Sequence, residues 1–166
     1  VHYTTIGLSN ASSRIQQLCD ATQSLYCIHS EHFEAGFEEV TLTKLYNYCS
    51  NKDHALDRVI YLHNKGSYHK NRDDWRRHGT LGATHRDCVN PPDDRCNLCA
   101  IHVSYIPSVQ QHGNMWTARC DYVRHLLAPI DFQKAMVQVN QYYHGVVKRR
   151  RKMHHESWGV SGPWGF

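Results

Sequence analysis

Nothing in this sequence is long and apolar enough to cross a bilayer: no stretch approaches the roughly 18 apolar residues that a spanning helix needs. The opening VHYTTIGLSN has neither a basic n-region nor an apolar h-region, so neither a membrane segment nor a secretory signal is expected in these residues. The chain starts at Val1 rather than Met, which fits a processed product or an excised piece and leaves a lost anchor or signal open. A Ser-His-Asp pattern, a Walker loop, Gly-x-Gly-x-x-Gly and His-Glu-x-x-His are all missing, which removes the readiest signatures of several large enzyme classes. Internal repeats are missing too, which argues against a solenoid. Charge of one sign is in short supply: 19 Lys and Arg face 15 Asp and Glu, a net +4. The isoelectric point near 8.7 lies below the value above about 9 that marks a nucleic-acid footprint, so nucleic acid is not an expected partner.

What is present is a length of 166 residues, 40% of them hydrophobic, enough for one domain over 1–166 with a sizeable core. The 14 histidines stand out, because protonation near pH 5 to 6 adds many charges to a modest balance and makes metal, phosphate or pH sensitivity conceivable. Seven cysteines make an odd count, so a full set of disulfides leaves one thiol over or paired elsewhere. Cys88, Cys96 and Cys99 crowd into CVNPPDDRCNLC, a segment that Pro91, Pro92, Asp93 and Asp94 mark as a loop. Its Cys-x-x-Cys pair can hold zinc, carry out redox chemistry or join two disulfides. A zinc ribbon wants a second such pair, and Cys120, His85 or His102 are the available substitutes.

The periodicity predicts short helices and strands in alternation. SSRIQQLC over 12–19 reads as a helix capped by Ser12 or Ser13, and LYCIHS over 25–30 as a brief strand. EEVTLTKLYNYC from Glu38 reads as a helix with its acids at the N-terminal end. The apolar run Val59 to Leu62 reads as a buried strand of a parallel sheet, whose C-terminal end would be the ligand end. Residues 70–87 read as a surface helix or ordered loop, and IHVSYIPSV from 101 as a strand interrupted by Pro107. HGNMWTARCDYVRHLL at 112–127 reads as a Gly-Asn break passing into a helix. The clearest amphipathic helix follows, capped by Asp131, with Phe132, Met136, Val139 and Tyr143 on one face. It ends near Gly145, before the basic run Lys148 to Lys152 and an irregular basic, Gly- and Trp-rich tail over 148–166.

Two clusters carry candidate chemistry. His63, Asn64, Lys65, Gly66, Ser67, Tyr68 and His69 follow the strand: a lysine, two histidines and hydroxyls suit an anionic group, and Gly66 permits close backbone approach. The plain alternative is a solvated loop after a strand. Gly113, Asn114, Met115 and Trp116 combine a tight turn with a flat indole of the sort on which sugars stack, the plain alternative being a core tryptophan. Asp73-Asp74 and Asp93-Asp94 read as turn or helix-start solvation rather than metal ligands.

Taken in order, these clusters resemble a family of glycosyltransferase-like proteins of algae and of bacterial polysaccharide-synthesis loci. The family hallmark, Tyr-Leu-His-x-Lys-Gly followed by Gly-Asn-aromatic-Trp and Asp-Tyr-hydrophobic, falls on Tyr61, Leu62, His63, Lys65 and Gly66, and on Gly113, Asn114, Met115, Trp116, Asp121 and Tyr122. The algal members are also similar in the Glu38, Thr41, Leu42, Leu45, Tyr46, Cys49 helix, the CNLC loop, and an acidic-x-Trp element matched by Glu156 and Trp158. The resemblance implies an α/β fold, a GT-A-like and mostly parallel sheet flanked by helices, here as a partial or minimal domain. It implies a nucleotide sugar as donor substrate and a glycan or protein as acceptor. The Asp-x-Asp motif that places a divalent cation on the donor diphosphate is absent, so Lys65, Gly66, Ser67 and His69 are the expected diphosphate contacts. Asp121 and His63 are the candidate acid-base residues, and Gly113, Asn114, Trp116 and Trp158 are the expected sugar contacts. A non-catalytic carbohydrate-binding domain and a zinc-stabilised module on Cys88, Cys96 and Cys99 are the alternatives. The algal likeness implies disulfides in a secretory, Golgi-like lumen, the bacterial one a cytoplasmic location.

Overall fold

The computed structural model describes residues 1–7, 12–22, 26–36, 38–63, 73–101, 103–104, 110–111 and 114–146. The fold is mixed α/β. Where one domain over 1–166 is expected, the chain gathers into two compact units, Val1–Thr41 and Leu42–Phe166.

The first unit is a small βαβ arrangement. Strand β1 (His2–Ile6) pairs in parallel with β2 (Ile28–Phe33), and helix α1 (Ser12–Asp20) lies between them in sequence. Parallel neighbours need such a crossover because a hairpin cannot join them. The Cys19–Cys27 disulfide ties the last turn of α1 to the entry of β2, and the hydroxyls of Thr4 and Thr41 are hydrogen-bonded. Gly7, at φ +132°, ends β1 in a conformation that side chains rarely adopt, and its N–H donates to the Phe33 carbonyl at 2.9 Å.

The second unit is built on a three-stranded sheet, β3 (Arg58–Tyr61), β7 (Trp116–Arg119) and β4 (Leu98–Ala100), with β7 in the middle. Helix α2 (Glu38–Ser50) begins at the end of the first unit and supplies Leu42, Leu45, Tyr46 and Cys49 to this core. With them pack Tyr61, Trp116, Ala118, Cys120 and Val123, the last two from α5 (Cys120–Val123), and Phe132 from α6 (Pro129–Val146). The other face of β7 meets α3 (Asp73–Ala83), where the buried Thr117 hydroxyl donates to the Ala83 carbonyl. Gly82 is required there, since a Cβ would run into the side chain of Ile101. A 3-10 turn at Lys52–His54, the short helix α4 (Arg86–Val89) and the two-stranded hairpin β5 (Val103–Ser104) with β6 (Gln110–Gln111) complete the described elements.

Parallel pairing is thus confined to β1 and β2 among the described strands; both ladders of the core sheet are antiparallel. The run Val59 to Leu62 suggested a strand covered on both faces, yet β3 is an edge strand whose Ile60 is 39% exposed while Tyr61 is 3% exposed. Four apolar residues in a row do not distinguish two covered faces from one. The larger revision concerns 116–119, expected as helix: these residues are the central strand, and the helix after them is the single turn of α5. The α2 and α6 helices stand where the periodicity puts them, except that α6 opens with Pro129, whose missing N–H costs nothing at a helix start, and Asp131 sits in its first turn. Pro107 and residues 148–166 lie outside the described residues.

The cysteines resolve into Cys19–Cys27, Cys49–Cys120 and Cys88–Cys99, with Cys96 the remaining thiol. The zinc alternative for Cys88, Cys96 and Cys99 gives way, because two of those sulfurs are bonded to each other. Three disulfides fit an oxidising compartment. No helix among the described residues is long and apolar enough to cross a membrane.

Candidate functional site

The register of the core sheet decides which predicted residues meet. Tyr61 pairs with Trp116 and Arg58 with Arg119. Residues just past Tyr61 therefore neighbour those just before Trp116, which brings the Tyr61, Leu62, His63 segment and the Asn114, Met115 turn to one end of the sheet. His63 stacks on the Tyr61 ring, centroids 5.8 Å apart and planes at 11°, and Tyr61 in turn contacts Trp116 at 5.5 Å. Asn114 takes φ +46°, a left-handed conformation that asparagine tolerates, two residues before β7 begins. Its side chain is 2% exposed, as is that of Trp116. Both are therefore packed inside the second unit, Trp116 within its hydrophobic cluster. Lys65, Gly66, Ser67, His69, Gly113 and Trp158, the other expected contacts, lie outside the described residues.

Asp121 is at the opposite end. It follows Arg119, so the length of the ladder, roughly 10 Å at about 3.4 Å per residue, separates it from the His63 end. His63 and Asp121 thus lie at opposite ends of the β3–β7 ladder. Asp121 does not cap α5: its carboxylate accepts from Arg119 Nε at 3.0 Å and from Nη2, while Arg119 Nη1 donates to the Asp94 carbonyl at 2.6 Å. This ion pair secures the strand-to-helix turn and the loop before β4. His125, one turn on, is hydrogen-bonded through Nδ1 to the Asp121 carbonyl.

Beside Asp121 the fold assembles a polar group from residues that no sequence motif marks. The Asp121 N–H donates to the Ala55 carbonyl at 3.0 Å and the Cys120 N–H to the Asp57 carbonyl at 2.9 Å, which fixes the 55–57 segment against α5. There Tyr48 Oη donates to Asp57 Oδ2 at 2.6 Å, and His54 Nδ1 lies 2.9 Å from the same oxygen. The Tyr48 and His54 rings stack at 4.0 Å and 18°. A carboxylate on Nδ1 orients the imidazole and leaves Nε2 as its outer nitrogen. His54 to Asp57 is a spacing of three across a turn, the one signal in SNKDHALD that marks them in advance.

The hydrogen bond from Tyr48, and then that from His54, hold the Asp57 carboxyl below the ordinary aspartate value of 3.8. The bond to Asp57 pushes the Tyr48 phenol above 10.0. A lowered folded value means that the stabilisation is complete above 3.8 and is lost as pH falls through the folded value. A raised phenol loses its share as pH climbs past 10.0. A stability plateau between those limits is expected, and Asp57→Asn should flatten its acid side. Urea midpoints measured against pH for both proteins check this: superimposable acid limbs would show that Asp57 contributes nothing.

Fold and site define a disulfide-braced mixed α/β protein with polar groups at both ends of a short antiparallel sheet. It belongs to the family described as Domain of unknown function (DUF8361), whose model matches residues 1–162. No curated protein and no solved structure matches the chain.

Proposed function

We propose that this protein is glycosyltransferase-like and moves a sugar from a nucleotide-sugar donor to a glycan or protein acceptor, with its donor contact at the His63 end of the core sheet. The observation that supports the reading is the pairing of Tyr61 with Trp116, which sets these two residues, far apart in sequence, at one end of the sheet. In this reading Lys65, with His63 or His69, supplies the positive charge that a divalent cation otherwise gives to a leaving diphosphate. Gly66 and Ser67 allow close approach to the phosphates. Asp121 lies at the far end, so its part is to brace the fold. The compartment is a secretory, Golgi-like lumen, consistent with the disulfides.

A second reading, a non-catalytic glycan-binding protein, is favoured by the exposed stack of Tyr48 and His54 with an ionised carboxylate at its rim. Aromatic faces pack against the apolar side of a sugar ring, and a carboxylate accepts from its hydroxyls.

Calorimetric titration with uridine and guanosine diphosphates and their sugars, with and without manganese, separates the two. The transferase reading expects saturable nucleotide-sugar binding that is lost in Lys65→Ala, and slow release of the diphosphate on incubation. Glycan binding without nucleotide binding, lost in Tyr48→Ala, would replace it with the second reading. A folded protein that binds neither class overturns both.

A further inference from the structure

A second polar cluster lies in the first unit. In β2, His29 and His32 are three residues apart, a spacing that in a regular strand directs side chains to opposite faces. The β1–β2 ladder is not regular. Tyr3 pairs with His29, Thr4 with Glu31 and Thr5 with His32, so Ser30 is an extra residue on β2. That bulge restores the phase and turns both histidines to the face of β1 that carries Tyr3 and Thr5. The side chains agree: the Tyr3 and His29 rings lie 5.0 Å apart, and Thr5 Oγ1 is 3.2 Å from His29 Nε2 and 2.9 Å from His32 Nδ1. Thr5 is 6% exposed. A bulge within a parallel pair is uncommon, and bulges recur where a fold re-aims a side chain.

Two imidazoles of a bulged strand thus converge on one small oxygen. We infer that His29 Nε2 and His32 Nδ1 together bind a divalent transition ion, of which zinc is the test case. Neutral imidazole nitrogen suits zinc, copper and nickel and is a poor ligand for magnesium or calcium. No third histidine, cysteine or carboxylate completes a ligand cluster among the described residues. Water therefore fills the remaining positions, and the site is an open and exchangeable one. The Thr5 hydroxyl occupies the point on which both nitrogens converge, so the ion binds by displacing it from between them.

The test is zinc titration of the whole oxidised protein, followed by calorimetry and by the side-chain nitrogen resonances of its histidines. His29 and His32 are expected to shift together and saturate at one equivalent, with no response to magnesium or calcium. His29→Ala and His32→Ala should each weaken that step at least about tenfold, the lower end of what loss of even an outer-shell partner costs a metal site. Because either variant can also disturb the β1–β2 pair, the resonance test on the unmodified protein decides. Zinc that shifts other histidines while leaving these two in place overturns the assignment, as does a one-equivalent step that survives in both variants with the fold intact.

Discussion

Replacing Cys49 and Cys120 together by alanine is expected to destabilise the 42–166 unit by about 4 kcal/mol, the chain-entropy value for a loop of this length. The bridge closes 71 residues, against 8 for Cys19–Cys27 and 11 for Cys88–Cys99. The same relation gives about 2.5 kcal/mol for a loop of eight residues and about 2.8 kcal/mol for one of eleven. Position adds to length. Both sulfurs of the long bridge sit in side chains with no exposed surface, between the end of α2 and the start of α5, so their loss also opens the core. A fall in melting temperature on the order of 15–20 °C follows for a unit of this size. Guanidinium unfolding of the three paired-alanine variants checks both magnitude and ranking. A Cys49, Cys120 variant within about 1 kcal/mol of the parent would show that the bridge is incidental to the fold.

Trp116→Ala is the other large effect, expected at about 3–5 kcal/mol, as for other buried aromatics cut back to alanine. Trp116 is the largest fully buried side chain among the described residues and lies with Tyr61, Ala118 and Val123 in the cluster that joins the central strand to its helices. Trp116→Phe keeps most of the volume and should lose distinctly less. The pair of variants also separates two roles for this residue. A sugar-stacking tryptophan would lose ligand and keep its melting temperature when cut to alanine; Trp116 is expected to lose its melting temperature first. Thermal unfolding of both variants, alongside glycan titration of whatever stays folded, reads the difference. Unchanged stability in Trp116→Ala would place the indole outside the core.

The helices were the most legible part of the chain. The acids at Glu38 and Glu39 and the spacing of Leu42, Leu45, Tyr46 and Cys49 place α2 to within a residue, and α6 follows as directly from Phe132 and Met136. Long periodic segments carry many positions of evidence each. Strand β7 does not: Trp116 to Arg119 is four residues, too few for a period of two to stand apart from a period of 3.6. Its buried Trp116, Thr117 and Ala118 mix polar with apolar because α3 supplies Thr117 with a backbone acceptor, and no local pattern contains that acceptor.

The candidate site divides in the same way. Lys65 to His69 and Asp121 drew attention through residue type, which is local information. Whether His63 could ever work with Asp121 depended on the direction of the β3–β7 ladder, and the antiparallel register sends them to opposite ends. Tyr48, His54 and Asp57 are each ordinary alone; they become a group when the backbone of 55–57 is pinned to α5.

By itself, then, the sequence determined the mixed α/β class, the two principal helices, the loop nature of 90–97, and the need for at least one unpaired thiol among seven cysteines. These follow from spacing, turn residues and counting, all properties of short stretches of chain. Only the tertiary structure decided that the core sheet is antiparallel, that Trp116 is packing rather than surface, which cysteines pair, and that a single extra residue at Ser30 brings His29 and His32 together. Each of those depends on which distant segments approach one another, and that is set by the summed burial of the whole core rather than by any one stretch of it.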